Sequence, residues 1–298
     1  MLNKRDFTTF RNYHSDRDLS IKIVNVIQNQ NVSNTLEFLD SEYNRVGDYT
    51  IVVKSGQILY KIVVGKKCSN KYELLDDNAV ISLKTQYLEY YDTFKQQSAL
   101  IPHAYDPIVI EVDNKSIFIE RQEYISSPSI FDVLSTGDEQ VLTKCLEVVV
   151  QSIASLLPLI GKKIGIDANP SNYLEDGTFV DFLPPFIVGG SDYESRQNCA
   201  DEHNQRFLRY FYTQEGVFEF ILVMFGLIYP KSIGLLLEAA KKNFSSEFLL
   251  SIEEYLSDDL FSDDLEFLTA IYQKKRNIDL SQNKSIIIQM YKLKCLVC

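Results

Sequence analysis

The chain has 298 residues, of which 45% are hydrophobic, and this is enough to build a real core and excludes a disordered chain as the default. Its formal net charge of −11 disfavours a general electrostatic attraction to nucleic acid or to an anionic membrane, so we expect neither partner. The five cysteines are widely spread and lack paired zinc-type spacing, so we expect reduced thiols.

The distribution of apolar residues predicts a cytoplasmic location. Residues 1–20 are polar and mixed in charge, without the apolar stretch of a secretory signal. The most apolar run, residues 217–229, has 13 residues and falls short of the roughly 20 that span a bilayer. We interpret this run as a buried helix.

Two pairs of segments in the first half of the chain have the β-branched and apolar composition of strands. Residues 49–53 and 58–64 flank a short turn and predict one hairpin. Residues 108–112 and 116–120 flank another turn and predict a second. Residues 80–97 lie between the hairpins, lack strand alternation and predict a helix. The N-terminal part is therefore predicted as sheet, one helix and sheet.

Beyond Ser126 the hydrophobic periodicity becomes helical. Apolar residues recur at spacings of three and four through residues 138–160. Further helices are predicted at residues 204–229, 231–242, 246–256 and 262–272. We therefore predict an α+β fold with a β-rich N-terminal lobe, residues 1–125, and a helical C-terminal lobe, residues 126–298.

The most specific segment is residues 164–174, which contain the pattern Asp-x-x-Pro-x-Asn and are followed by Asp181. Phosphoryl transfer needs one carboxylate to take the proton of the acceptor hydroxyl, and an amide and a second carboxylate to hold magnesium. Asp167, Asn172 and Asp181 supply that set. The alternative is a capped turn in which Asp and Asn side chains bond their own backbone.

This spacing resembles the catalytic loop of the protein-kinase-like superfamily, aminoglycoside phosphotransferase and choline kinase type. The resemblance covers roughly residues 46–230. It implies a two-lobed fold in which a small antiparallel sheet with one helix precedes a larger helical lobe. It also implies ATP and Mg2+ as cofactors, Asp167 as the catalytic base, and Asn172 and Asp181 as magnesium ligands.

The same resemblance assigns nucleotide-binding residues to the N-terminal lobe. Lys61, in an apolar strand, would contact the nucleotide phosphates, and Glu89, on the following helix, would orient Lys61. Backbone groups of Glu123, Tyr124 and Ile125 would contact adenine. These five residues complete the predicted ATP site.

Several features depart from the family pattern. No glycine-rich phosphate loop is visible at residues 43–48. Gly165 stands where the family usually has a His that braces the loop. The interval from Asn172 to Asp181 is only nine positions, where about thirteen is usual. A tight hairpin around Asp176-Gly177 would absorb the difference.

The assignments have plainer alternatives. Lys61 and Glu89 would be ordinary surface charges, and Lys54 is a rival for the lysine role. Residues 116–125 would form only one edge of a hairpin. The acidic residues between 253 and 266 would form a solvated helix rim rather than a wall for a cationic substrate.

The sequence therefore predicts an ATP- and magnesium-dependent phosphotransferase that acts on a hydroxyl of a small molecule. A protein substrate is the less favoured acceptor, because Asn169 replaces the lysine that Ser/Thr protein kinases place two residues after their Asp. Gly165, the missing glycine loop and the short magnesium hairpin leave open a kinase-fold protein that binds nucleotide and transfers nothing. A changed loop also leaves open a kinase-fold enzyme that transfers AMP.

Overall fold

The computed structural model describes residues 44–46, 50–55, 57–63, 67–68, 71–72, 75–97, 99–112, 115–276 and 279–295. The N-terminal residues 1–20, Gly47 in the segment where the family would have its glycine-rich loop, and the turn residues Asp113 and Asn114 lie outside the described residues. The outcomes below concern the described residues alone.

The main strands are β1 (Asn44–Val46), β2 (Thr50–Ser55), β3 (Ile58–Val63), β6 (Ala104–Val112) and β7 (Lys115–Glu123), and the two-residue strands are β4 (Lys67–Cys68) and β5 (Lys71–Tyr72). The main strands form one antiparallel sheet in the order β1-β2-β3-β7-β6, and β4 pairs with β5 separately. Strand β2 pairs with β3, and β6 with β7, which confirms both predicted hairpins. Pairing of β3 with β7 joins the hairpins into one sheet.

Helix α1 (Asp77–Gln96) lies between the hairpins in sequence and confirms the helix predicted there. Its buried apolar side chains recur at helical spacing, so one stripe of the helix faces inward. They are Val80, Tyr87, Tyr90 and Phe94.

The chain divides into two compact units. The sheet unit contains the strands, α1 through Leu88, and Pro102–Ser126. The helical unit contains Glu89–Ile101 and the residues from Ser127 onward. The functional roles assigned to the two predicted lobes stay predictions.

The helices of the helical unit are α2 (Ile130–Thr136), α3 (Glu139–Leu156), α4 (Ser191–Gln197), α5 (Glu202–Tyr212), α6 (Gln214–Ile228), α7 (Ser232–Asn243), α8 (Ser246–Ser257), α9 (Asp259–Arg276) and α10 (Ser281–Cys295). Every residue of α6 from Gly216 to Leu227 is buried, and α6 contacts α2, α5 and α7 to α10. A helix that is apolar on all sides is stable only where other elements surround it and exclude water. The apolar run is therefore a buried helix, as predicted, and the described residues form a mixed α+β fold.

The single helix predicted at residues 204–229 is wrong, because the chain breaks into α5 and α6 at an angle of 104°. Thr213 at the break has an extended backbone, and its hydroxyl accepts the Gly216 N–H at 3.0 Å to cap α6. A side chain at position 216 would collide with the carbonyl of Arg209. Only glycine fits this corner without a shift of the backbone.

A buried charge cluster connects α5, α6, α8 and α9. Asp264 on α9 is fully buried and accepts hydrogen bonds from Arg206 at 2.8 Å, from Tyr255 at 2.9 Å and from Arg209. Arg209 also lies 3.4 Å from the Glu219 carboxylate. Asp264 therefore belongs to the core, whereas most of the acidic residues around it are exposed, as the solvated-rim interpretation predicted.

We predict a pH dependence of stability from Glu219. Burial raises the pKa of its carboxyl to about 7 from the usual 4.5, and the nearby Arg209 opposes the shift. Between these values the folded state binds more protons than the unfolded state, so the free energy of unfolding should fall as pH rises through that window. In Glu219→Gln the fall should be shallower, as measured by urea unfolding at several pH values.

The control for this experiment is Glu247→Gln, at an exposed position of helix α8. This variant should reproduce the parent profile. Parallel profiles for the parent and Glu219→Gln would contradict the prediction.

Candidate active site

Backbone hydrogen bonds hold the segment that leads into Asp167. The Gly165 N–H donates to the Phe186 carbonyl at 2.7 Å, and the Ile166 N–H donates to the Phe211 carbonyl at 2.8 Å. Two separate segments of the helical unit therefore fix the two residues before Asp167.

Position 165 has no room for a side chain. A Cβ there would lie 2.5 Å from the Phe211 carbonyl oxygen and 2.6 Å from a ring carbon of Tyr212, closer than real Cβ atoms come. The bracing His expected from the family pattern would not fit. The glycine at this position is thus required by the close approach of the α5 backbone.

Tyr90 on α1 supplies a hydrogen bond to the same residue. Its hydroxyl donates to the Gly165 carbonyl at 3.0 Å, and the side chain is fully buried. The Tyr90 ring also makes edge contacts with Phe182 and Phe186, at centroid distances of 6.1 and 6.4 Å. One side chain therefore contacts both the segment before Asp167 and the segment after Asp181.

The loop itself closes on Asp167. The Asn172 side-chain amide donates to the Asp167 carbonyl at 3.0 Å, and the Asn169 N–H donates to the Asp167 carboxylate at 3.2 Å. Asn169 caps a short 3-10 helix, Pro170–Asn172. The structure brings Asp167 and Asn172 together, and these bonds are also those of the capped-turn alternative.

A tight hairpin carries the chain from Asn172 to Asp181. The Gly177 N–H donates to the Leu174 carbonyl at 2.9 Å, and Gly177 has a φ of 84°, which favours glycine. The Val180 N–H donates to the Asn172 carbonyl at 2.9 Å. The predicted hairpin at Asp176-Gly177 is confirmed, and it accommodates the nine-residue interval.

The Tyr90 hydroxyl stays protonated. Its pKa is raised well above its usual value, first by burial, and also by Tyr212, Tyr173, Asp181 and Asp167. The hydroxyl is therefore able to donate its hydrogen bond to the Gly165 carbonyl.

The side-chain oxygens of Asp181 and Asn172 are of the kind that magnesium prefers. Across the part of the chain that is described, no three His, Cys, Asp or Glu side chains come together as a metal site. Magnesium binds through one or two carboxylates, substrate phosphates and several waters, so it does not require such a group. Asp181 and the amide oxygen of Asn172 fit this requirement.

The sheet unit buries three polar side chains, Lys61, Glu120 and Gln122. The sequence analysis identified Lys61 and missed the other two. Lys61 is 7% exposed, and its ammonium lies 3.7 Å from the carboxylate of Glu120, which is fully buried. Gln122, two residues along β7 from Glu120, is 2% exposed. Strand alternation from the buried Phe118 places Glu120 and Gln122 on one face and could have identified both. The surface-charge alternative for Lys61 is wrong.

The predicted adenine linker follows directly from β7. The Glu123 N–H donates to the His103 carbonyl at 2.8 Å, and the Tyr124 N–H donates to the Gln57 carbonyl at 2.9 Å. These two donors are used within the sheet unit. A contact with adenine would therefore use their carbonyls or backbone groups of Ile125.

The rival lysine and the predicted partner of Lys61 have different environments. Lys54, the rival lysine, places its ammonium 4.2 Å from the ring centroid of Tyr124. Glu89 is exposed on α1, outside the buried stripe, and belongs to the helical unit. Its pairing with Lys61 stays a prediction.

Comparison with known proteins gives little guidance. No family model matches the sequence, and no curated protein matches it. The solved structure of WaaP in complex with acyl carrier protein is similar at a TM-score of 0.35 and 10% sequence identity, covering 78% of this chain and 94% of that chain. A TM-score this low carries no argument about fold, activity or partners.

Within the described ranges, no helix alone has both the length and the apolar composition needed to cross a membrane. The segments Glu202–Tyr212 and Gln214–Ile228 meet those criteria only when taken together as one bent pair.

We predict that Tyr90→Phe lowers the free energy of unfolding by about 1 to 3 kcal/mol, because it removes a buried hydrogen bond and leaves the Gly165 carbonyl without its donor. Amide hydrogen exchange should also increase in the loop at residues 165–172. Urea unfolding and exchange measured by mass spectrometry test both effects.

The matched control is Tyr173→Phe. The Tyr173 hydroxyl is also fully buried, and it has no hydrogen-bond partner among the described residues. Its removal should leave stability unchanged or slightly raised. Equal losses in Tyr90→Phe and Tyr173→Phe would contradict the role given to the Tyr90 hydroxyl.

Proposed function

We propose that this chain is an ATP- and magnesium-dependent phosphotransferase of the protein-kinase-like fold that acts on a hydroxyl of a small molecule. The observation that carries the proposal is the arrangement of Asp167, Asn172 and Asp181. The Asn172 amide bonds the Asp167 carbonyl, and one tight hairpin leads from Asn172 to Asp181. A five-stranded antiparallel sheet with a buried lysine precedes them in the chain.

In the proposed reaction Asp167 accepts the proton of the acceptor hydroxyl. The acceptor oxygen forms a bond to the γ-phosphorus of ATP, the bond from that phosphorus to its bridging oxygen breaks, and ADP leaves. Asn172 and Asp181 would hold magnesium, which would neutralise phosphate charge. Catalysis would come mainly from positioning, because the transfer needs no covalent step on the protein.

The other residues of the proposal bind the nucleotide. Lys61 would contact the phosphates, and backbone groups of Glu123, Tyr124 and Ile125 would contact adenine. A chain that binds nucleotide without turnover would instead be a nucleotide-binding protein of this fold, and product mass would distinguish phosphoryl from AMP transfer.

We predict that ATP with magnesium raises the melting temperature of the parent more than ATP alone, because a ligand that binds only the folded state stabilises it. At 100 times Kd the gain is about 2.7 kcal/mol. Asp181→Asn should abolish the magnesium-dependent part of this gain in a thermal-shift assay.

Asp263→Asn is the control for that assay, since Asp263 is an exposed carboxylate on α9. It should keep the parent's magnesium dependence. The same dependence in Asp181→Asn would overturn the assignment of Asp181 as a metal ligand.

We predict that Asp167→Asn binds Mg-ATP nearly as the parent does but turns over at least about tenfold more slowly, because removal of a general base typically costs on the order of 10² to 10⁴ in rate. ATP hydrolysis measures turnover when no acceptor is supplied. Full turnover in this variant would mean that the loop has been misinterpreted, and loss of folding would mark Asp167 as a structural turn residue.

A further inference from the structure

Lys61 and Glu120 are direct partners in the sheet. Strands β3 and β7 pair in antiparallel register from Ile58 opposite Glu123 to Val63 opposite Phe118, and this register sets Lys61 opposite Glu120. Side chains directly opposite each other point to the same face of a sheet. The pair is therefore built into the strand pairing and does not depend on a loop.

The neighbours on this face keep the pair out of water. Val63 opposite Phe118 flanks it on one side, and all four of these side chains are buried. A carboxylate with no solvent exposure is costly unless a cation lies close, and the Lys61 ammonium, 3.7 Å away, is such a cation. Attraction to the Glu120 carboxylate therefore favours positions of the Lys61 ammonium close to β7.

Exposure sets the direction in which the pair can meet a ligand. The Lys61 side chain is 8% exposed, whereas that of Glu120 is fully buried. An incoming anion would therefore meet the lysine and not the carboxylate. This arrangement suits a phosphate contact, because the Lys61 ammonium would face the phosphate and the Glu120 carboxylate would lie behind the ammonium.

We propose that Glu120 is the positioning residue for Lys61, holding its ammonium ready for the phosphates of the nucleotide. The inference rests on the proposed function, and it gives to a strand residue the role that the sequence assigned to Glu89. Glu120 acts through Lys61 and makes no contact with the nucleotide. Because the two strands fix the pair before any ligand arrives, less side-chain freedom is lost on binding.

This role predicts an effect confined to the phosphates. Loss of Glu120 should weaken binding of ADP, whose phosphates Lys61 contacts. It should leave binding of adenosine unchanged, since adenosine lacks phosphates. A merely structural role of Glu120 would weaken both ligands alike, because it would act on the whole folded population.

Isothermal titration calorimetry on the full chain, with Mg-ADP and with adenosine, tests the inference. Glu120→Gln should weaken Mg-ADP binding by at least about tenfold and leave adenosine binding within about twofold. Asp106→Asn, at an exposed carboxylate on strand β6 of the same sheet, is the control and should leave both affinities at the parent values. Glu120→Gln combined with Lys61→Met should bind Mg-ADP no more weakly than Lys61→Met alone, because Glu120 acts only through Lys61.

Glu120→Asp keeps the charge and shortens the side chain, so it serves if Glu120→Gln does not fold. Like Glu120→Gln, this variant should weaken Mg-ADP binding and leave adenosine binding unchanged. Parent-like Mg-ADP affinity in the Glu120 variants, equal loss for both ligands, or a loss in Asp106→Asn as large as that in Glu120→Gln would each overturn the inference while the proposed function stands. A parent that binds neither ligand would overturn the proposed function, and this inference with it.

Discussion

The position of Asp167 depends on how closely the backbone at Gly165 approaches the carbonyl of Phe211. The approach leaves no space for a Cβ, and the adjacent Ile166 N–H uses that carbonyl as its acceptor. A side chain in the loop cannot then provide the bracing, so the backbone and the Tyr90 hydroxyl provide it. Backbone contacts have fewer rotatable bonds than a side-chain brace, and they order the start of the loop at a small entropic cost.

Local signals in the sequence predicted most of the described strands and helices and the tight turn between Asn172 and Asp181. Both hairpins, α1 and the turn at Gly177 are confirmed because each depends on neighbouring residues and on periods of two or 3.6. The break at Thr213 was missed, since apolar residues continue on both sides and only a hydroxyl cap and one glycine mark it. Helix α10 was also missed, because its mixed polar sequence has few core residues.

Contacts between distant parts of the sequence could not be predicted in this way. Tyr90 bonds a residue 75 positions away, and the partner of Lys61 became apparent only with the pairing of β3 and β7. Asp264 shows the same limit, because its place in an acidic run suggests solvent whereas two arginines hold it in the core. Buried charges of this kind follow from tertiary packing, which short sequence patterns do not encode.

The partnership between Lys61 and Glu120 also bears on control of the proposed enzyme. In protein kinases the lysine's carboxylate is carried by a helix, so a displaced helix switches the enzyme off. Here the carboxylate belongs to the adjacent strand of the same sheet, and backbone hydrogen bonds hold the two strands in register. Displacement of α1 would not change the strand register that sets Lys61 opposite Glu120. Under the proposed function, regulation by separating the lysine from its carboxylate would then need a change within the sheet, and the loop at Asp167 or the supply of the acceptor would offer other points of control.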